Sequence, residues 1–366
     1  MATKTATKSE KAITYVGKEV FIGIDVHRKT YVVTVVSDSE VVQKCSMLGV
    51  PVKLVEYIGK RFVGARVKTA YEAGFSGFTL HRTLEAAGIE SIVVNAASIE
   101  ISARDKVKTD KRDSLKIATQ LSQGRLKGIR IPSEKEELGR LLTRTREQLM
   151  KHRTMHMNEI RMKLLQFGQM PIEYDKALNL KDVQLWIEAE DFPAELKQVI
   201  SMLVESWKQL DEQIKVVRVG LVKQAQSDPL EEVYRSVFGI GPLGSRVLSS
   251  ELGDMKQFRN ERQLFSFSGM TPTEHSSGDK VCRGHISRQG SPRIRKTMTE
   301  AAWVAIRHDA ALRAVYTRIA QKAGGKRAII AVARKLLGRI RALFVSGELY
   351  VVGRGMEQAV TESVAA

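Results

Sequence analysis

Four carboxylates stand out for what their positions could do together. Asp25 closes the run Val20-Phe-Ile-Gly-Ile-Asp25, Glu72 follows Ala65-Arg-Val-Lys-Thr-Ala-Tyr71, and Asp110 and Asp113 lie three residues apart in Lys108-Thr-Asp-Lys-Arg-Asp113. Short runs rich in β-branched and aromatic residues read as buried strands, so Asp25 and Glu72 belong at strand ends. Residues three apart share one face of a helix, which groups Asp110 and Asp113 on the first turn of a helix reaching Gln123. The helix dipole alone explains acids at a helix N-terminus. It leaves Asp25 and Glu72 without a reason, because a carboxylate at an interior strand end is costly to bury unpartnered. Crowded carboxylates repel unless a hard cation screens them, and an all-oxygen ligand set suits Mg²⁺ or Mn²⁺. Paired ions of this kind clamp the attacking and leaving oxygens of a phosphodiester.

The elements that must position these acids can be read in order. After Asp25, the break Val26-His-Arg-Lys-Thr30 and the run Tyr31-Val-Val-Thr-Val-Val36 complete a hairpin, and Val41-Val42 opens a third strand. Pro51 begins an amphipathic helix to about Phe62, Phe78 to Ala87 is a helix stopped by Gly88, and Ile89 to Val94 is a strand. Hairpins followed by alternating helix and strand predict an α/β layer fold with a mixed sheet, of RNase H-like pattern.

Beyond this domain the periodicity changes to helical. Ser133-Glu-Lys-Glu136 is a capping box that starts a helix to about Phe167, and a break follows with Gly168 and Pro171. Leu196, Ile200, Leu203, Trp207, Leu210, Ile214, Val217 and Leu221 alternate spacings of four and three, a heptad seam. This middle region reads as an antiparallel coiled-coil hairpin that pairs with a second copy. His152 and His156, on its first helix, read as core or interface residues, since no third metal ligand has matching spacing.

Phe238-Gly-Ile-Gly241 with Pro-Leu-Gly-Ser-Arg-Val-Leu resembles a helix-hairpin-helix, in which Gly239 and Gly241 let backbone N–H groups approach a phosphate; an ordinary helix-joining turn reads equally well. Gly- and Ser-rich loops follow, then a helix from Ser291-Pro292 and two more over Ala310 to Ala323 and Arg327 to Val345. The expected organisation is a disordered basic N-terminus over 1–18, an α/β metal-dependent domain over 19–132, a helical hairpin over 133–230, a mainly α-helical C-terminal domain over 231–350 and a tail over 351–366.

The charge is uneven. Of a formal net charge of +18, the stretch from Arg283 to Arg341 carries 15 Lys and Arg against Glu300 and Asp309, a net of +13. Such a concentration is the electrostatic footprint of a nucleic-acid partner, although a solvated basic face has the same composition. Arg283, Arg288, Arg293, Arg295 and Lys296 lead the block. Cys45 and Cys282 are too few for a zinc cluster and suggest a reduced cytosolic chain. No apolar run is long enough for a signal peptide or a membrane span, so no membrane partner and a cytoplasmic, nucleoid-associated location are expected.

Taken together, Ile22-Gly-Ile-Asp25, Tyr71-Glu-Ala-Gly74, Lys108-Thr-Asp-Lys-Arg-Asp113, Gly239-Ile-Gly241, Phe267-Ser-Gly-Met-Thr-Pro272, Ser277-Gly278, Ile286-Ser-Arg-Gln-Gly290 and Arg293-Ile-Arg295 form an ordered signature. The chain in this respect resembles the insertion-sequence transposases of family one-hundred-ten, which include relatives of the Piv DNA invertase, and the match covers nearly its whole length. The resemblance implies a RuvC-like domain whose Asp-Glu-Asp-Asp tetrad falls on Asp25, Glu72, Asp110 and Asp113. It further implies a coiled coil and a C-terminal transposase domain with a catalytic serine at Ser277. In some members an element-encoded structured RNA selects donor and target DNA. Two departures are visible: Ser276 adjoins Ser277, so the assignment rests on the following glycine, and Ala-Gly-Phe follows Glu72 where many relatives carry Ala-Thr-Gly or Ser-Thr-Gly.

A serine hydroxyl is a weak nucleophile that needs a metal or an adjacent base, and strand exchange without added energy needs a covalent link that stores phosphodiester energy. The resemblance therefore implies a DNA recombinase acting as a dimer or tetramer, its active site assembled from two domains. The competing readings are a plain RuvC-like nuclease that uses water, a DNA invertase, a non-catalytic nucleic-acid regulator, and a sugar-kinase or actin-like ATPase. The last is disfavoured because His27-Arg-Lys29 stands where small residues would have to approach phosphates.

Overall fold

The computed structural model describes residues 14–100, 109–171, 174–189, 192–274 and 283–351, without the side chains of Lys111 and Arg283. The chain divides into two compact units, the first ending at Ile131 and the second beginning at Pro132.

The first unit is built on a mixed five-stranded sheet. Its strands are β1 (Glu19–Val26), β2 (Thr30–Ser37), β3 (Glu40–Leu48), β4 (Arg66–Glu72) and β5 (Glu90–Val94), and its helices are α1 (Pro51–Arg61), α2 (Thr79–Ala86) and α3 (Asp110–Ser122). The spatial order is β3-β2-β1-β4-β5, antiparallel across β3-β2-β1 and parallel across β1-β4-β5. Asp38 and Ser39, both at positive φ, form the two-residue turn between β2 and β3, a backbone shape that suits the twist of a hairpin. Because β1 lies in the middle and is covered on both faces, it is a nearly continuous apolar run rather than an alternating one.

One face carries Val20, Ile22, Ile24, Tyr71 and Val93, packed with Leu54 and Ile58 of α1 and Leu80 and Leu84 of α2. The other face carries Ala70 with Phe21 and Ile92 and takes Ile117 and Leu121 of α3. Gly23 sets how closely α3 can lie: a Cβ there would stand 2.9 Å from Ala118 Cα and nearer still to Ser114 O and Ala118 N. Helix backbone therefore rests directly on strand backbone. Beside that contact, the buried Thr34 and Ser114 hydroxyls share a hydrogen bond of 2.9 Å.

Among the described residues, the regular elements of the second unit are helices apart from one small hairpin. A 33-residue helix, α4 (Glu134–Gln166), starts at the Ser133 capping box, with both reciprocal bonds to Glu136 present. The short α5 (Leu180–Ile187) and the 33-residue α6 (Ala194–Gln226) follow. Leu142 meets Gly220, Arg153 pairs with Asp211, and Ile160 and Leu164 pack with Leu196 and Ile200, so α4 and α6 run antiparallel. Part of the heptad seam is thereby used within one chain: Leu196, Ile200 and Trp207 are buried against α4 and α5.

The remaining elements are α7 (Leu230–Arg235), α8 (Pro242–Leu252), α9 (Glu261–Ser268), β6 (Pro272–Glu274), β7 (Arg283–Ile286), α10 (Pro292–His308), α11 (Ala310–Ala323) and α12 (Gly325–Ser346). They enclose a core of Leu248, Leu252, Met255, Leu264, Ile294, Met298, Leu336, Leu337 and Ile340. Polar groups tie the long hairpin to this core. Arg144 makes a two-point ion pair with Glu251, Arg140 Nε donates to Ser250 O at 2.8 Å, and Arg293 pairs with Glu147. Such forked arginine pairs fix geometry as well as adding energy.

Candidate active site

Strand periodicity decides which side chains share the α3 side of the sheet. Gly23 faces α3, so Asp25, two residues on, projects from the same face at the end of β1. The parallel register pairs Gly23 with Ala70 and Ile24 with Tyr71. Asp25 and Glu72 are the residues that follow this last pair on β1 and β4. Asp110 and Asp113 occupy the first turn of α3, the helix whose height is set by Gly23.

The Asp25 side chain is 22% exposed. Burial pushes its carboxyl above the ordinary value, the nearby His27 pulls it down, and the charges of Asp110 and Asp113 push it up again, leaving it raised. The charges of Asp110 and Asp113 are thus both felt at Asp25. His27 Nε2 lies between two of them, 3.2 Å from Asp25 Oδ2 and 3.1 Å from Asp110 Oδ2. Among the described residues, Asp25, His27 and Asp110 each offer one ligand atom and these lie within 4.8 Å of one another. Asp113 Oδ1 is 3.7 Å from Lys116 Nζ, and Glu72 is exposed at its strand end; neither belongs to that close group. Sequence reasoning did not single out His27 for a role in this group. The signal was its spacing of two from Asp25, which puts both on one face of the extended chain.

This geometry fits a hard divalent cation. Ligands at about 2.1 Å from a metal and at right angles to one another are roughly 3 Å apart, close to the separations around His27 Nε2.

In the second unit the signature segments pack on one another. A Cβ on Gly290 would lie 2.7 Å from Gly269 N and from Ser268 C, so the end of α9 and the Gly290 turn meet backbone to backbone. Arg295 Nη1 locks the meeting point by donating to Ser268 O at 3.1 Å and Gly290 O at 2.9 Å. Burial and the neighbouring Arg288 charge lower its affinity for the proton. From this platform rises the β6-β7 hairpin, with Pro272 opposite Ile286 and Glu274 opposite Arg283. The connecting segment 275–282, with Ser276 and Ser277, lies outside the described residues.

The other predicted contact residues differ in their surroundings. Gly239 has φ +84° and approaches Ala301 on α10 too closely for any side chain, while Gly241 caps α8 with open space where a Cβ would be. Arg293 is held by Glu147; Arg288 is exposed, and Lys296 is exposed with Glu300 4.0 Å away. The basic block is therefore partly internal bracing: Arg339 pairs with the buried Asp309 at 2.6 Å, and Arg341 caps the Phe258 and Arg259 carbonyls. No helix among the described residues is long and apolar enough to cross a membrane.

The comparisons with known proteins give the class of the chain that carries this sheet and these helices. A DEDD transposase model of IS110 type matches residues 22–168, and the model described as the transposase IS116/IS110/IS902 family matches residues 231–317. The y4rJ protein of Sinorhizobium fredii, named as a transposase, is 32% identical over 294 residues, covering 73% of this chain and 74% of that protein. The transposase for insertion sequence element IS1533 of Leptospira borgpetersenii is 26% identical over 310 residues, 78% of this chain and 85% of the relative. That for IS1111A of Coxiella burnetii is 26% identical over 279 residues, 75% and 76% of the two chains. The class is thus an insertion-sequence transposase, an enzyme that cuts and rejoins DNA. The chain belongs to the IS116/IS110/IS902 family of these enzymes.

Proposed function

We propose that the first unit is an RNase H/RuvC-like domain whose Asp25, Glu72, Asp110 and Asp113 hold Mg²⁺ or Mn²⁺, and that Ser277 is the nucleophile of a DNA strand-transfer reaction. The reading is supported above all by the approach of Asp25 and Asp110 to one point at His27 Nε2, with the charge of Asp113 also felt at Asp25. The strand order β3-β2-β1-β4-β5 agrees with that fold. Held by these acids, a divalent cation would supply positive charge to a scissile phosphate and would favour the ionised form of an attacking hydroxyl. Asp25 and Glu72, on adjacent strands, and Asp110 and Asp113, on one helical turn, orient the group that carries that charge. The Ser277 Oγ loses its proton and bonds to phosphorus, while the bond from phosphorus to one deoxyribose oxygen breaks and that oxygen takes up a proton. Return of a deoxyribose hydroxyl reverses the step and rejoins the strand.

Exposed Arg288 and Lys296 are suited to contact phosphates of donor and target DNA, or of an element-encoded guide RNA. The enzyme acts as a homo-oligomer in the cytoplasm, since two duplexes must be held together. Denaturing gels with end-labelled DNA, followed by peptide mapping, test the reading. A protein–DNA adduct is expected on Ser277 and is lost in Ser277→Ala and Asp110→Asn, while Ser276→Ala keeps it. Full recombination by Ser277→Ala, or cleaved free ends without an adduct, overturns the serine assignment.

A further inference from the structure

The tetrad assigned from sequence contains only oxygen donors, yet an imidazole nitrogen stands between two of its members. We propose that His27 Nε2 is a direct ligand of the divalent cation held by Asp25 and Asp110, so that the centre is a mixed nitrogen–oxygen site. The inference rests on the metal-dependent reading above and goes beyond it in naming a ligand of different chemistry.

Three observations carry it. The separations of 3.2 Å to Asp25 Oδ2 and 3.1 Å to Asp110 Oδ2 are those of neighbouring ligands around one ion of about 2.1 Å bond length. Although both distances are short enough for hydrogen bonds, neither approach meets hydrogen-bond geometry, and Nε2 is buried without such a partner while the ring as a whole is 42% exposed. The nitrogen thus faces both carboxylates at nearly equal distance. Finally, the ring is delivered by a tight connection: His27 N donates to Thr30 O at 2.9 Å across the β1-β2 turn, and Val26 pairs with Tyr31 just before it. A ligand on a hydrogen-bonded hairpin end loses little freedom on binding an ion. A nitrogen ligand adds more to the binding of first-row transition ions than to that of Mg²⁺, so His27 would raise the affinity for Mn²⁺ modestly, and for Co²⁺ more strongly, relative to Mg²⁺.

The experiment is Mn²⁺ titration of the full chain with electron spin-echo modulation spectroscopy, using ¹⁴N-histidine and ¹⁵N-histidine protein. The expected result is imidazole nitrogen modulation on bound Mn²⁺ that changes with the isotope, disappears in His27→Ala and His27→Asn, and is abolished with Mn²⁺ binding in Asp110→Asn. Both His27 variants should still bind Mg²⁺ but lose part of the preference for Mn²⁺ over it. Bound Mn²⁺ without nitrogen modulation in the wild type, or modulation that persists in both His27 variants, overturns the His27 ligand and leaves the carboxylate site standing. Failure of the wild type to bind Mn²⁺ or Mg²⁺ at millimolar concentration overturns both readings.

Discussion

Replacing Gly23 by alanine perturbs the site without touching a candidate ligand. The added Cβ would sit 2.9 Å from Ala118 Cα and nearer still to Ser114 O and Ala118 N, all backbone atoms of α3. No rotamer change relieves a clash between two backbones, so the helix has to lift. Restoring an ordinary contact of 3.4 Å or more needs at least 0.5 Å from Ala118 Cα and more from the other two. A lift on the order of 1 Å carries Asp110 and Asp113 away from Asp25, and a misplacement of that size costs about 100-fold in rate when catalytic groups must converge. The overpacking itself costs about 1–3 kcal/mol. Gly23→Ala should therefore fold with a lowered melting temperature, bind Mn²⁺ more weakly and transfer DNA strands about 100-fold more slowly. Calorimetric metal titration and a strand-transfer time course on the same preparation check this. A variant with wild-type metal affinity and rate would show that the Gly23 contact does not set the geometry of the site.

Other expectations separate bracing arginines from those free to meet a polyanion. Arg295→Met leaves the Ser268 and Gly290 carbonyls without their donor and should cost about 1–3 kcal/mol in denaturant unfolding. Arg288→Gln with Lys296→Met should leave stability within about 0.5 kcal/mol. The same pair should flatten the slope of log affinity against log salt by up to about 0.9 for each duplex phosphate that the protein no longer neutralises. Asp309 provides a pH test: burial pushes its carboxyl up, but hydrogen bonds from Tyr350 and Leu312 N and the Arg339 charge outweigh this and hold it below the usual range. That stabilisation is present above about pH 4 and is lost as pH falls through the lowered folded-state value. Arg339→Met, which strands a carboxylate only 1% exposed, should cost about 3–5 kcal/mol at pH 7, and the deficit should shrink on acidification. A deficit independent of pH would mean that the ion pair is not its source.

Much of the molecule was written locally. The apolar runs of β1 and β2, Pro51 at the start of α1, the Ser133 capping box and the bounds of α11 follow from periodicity and end signals that act within a few residues. The same local rules placed Asp25 and Glu72 at strand ends and Asp110 with Asp113 on one turn, because strand and helix periods fix which neighbours share a face. Tertiary structure alone decided the rest. Gly23 reads as an ordinary strand residue until α3 lies on it, and only that contact brings Asp110 beside His27. The seam on α6 has a heptad spacing whether its partner is another chain or α4; the burial of Leu196, Ile200 and Trp207 within one chain depends on where the connection returns. Likewise the charge of Arg295, Arg339 and Arg341 is visible in the sequence, but their commitment to carbonyls and Asp309 is not, since a long flexible side chain can reach solvent or fold inward with equal sequence cost.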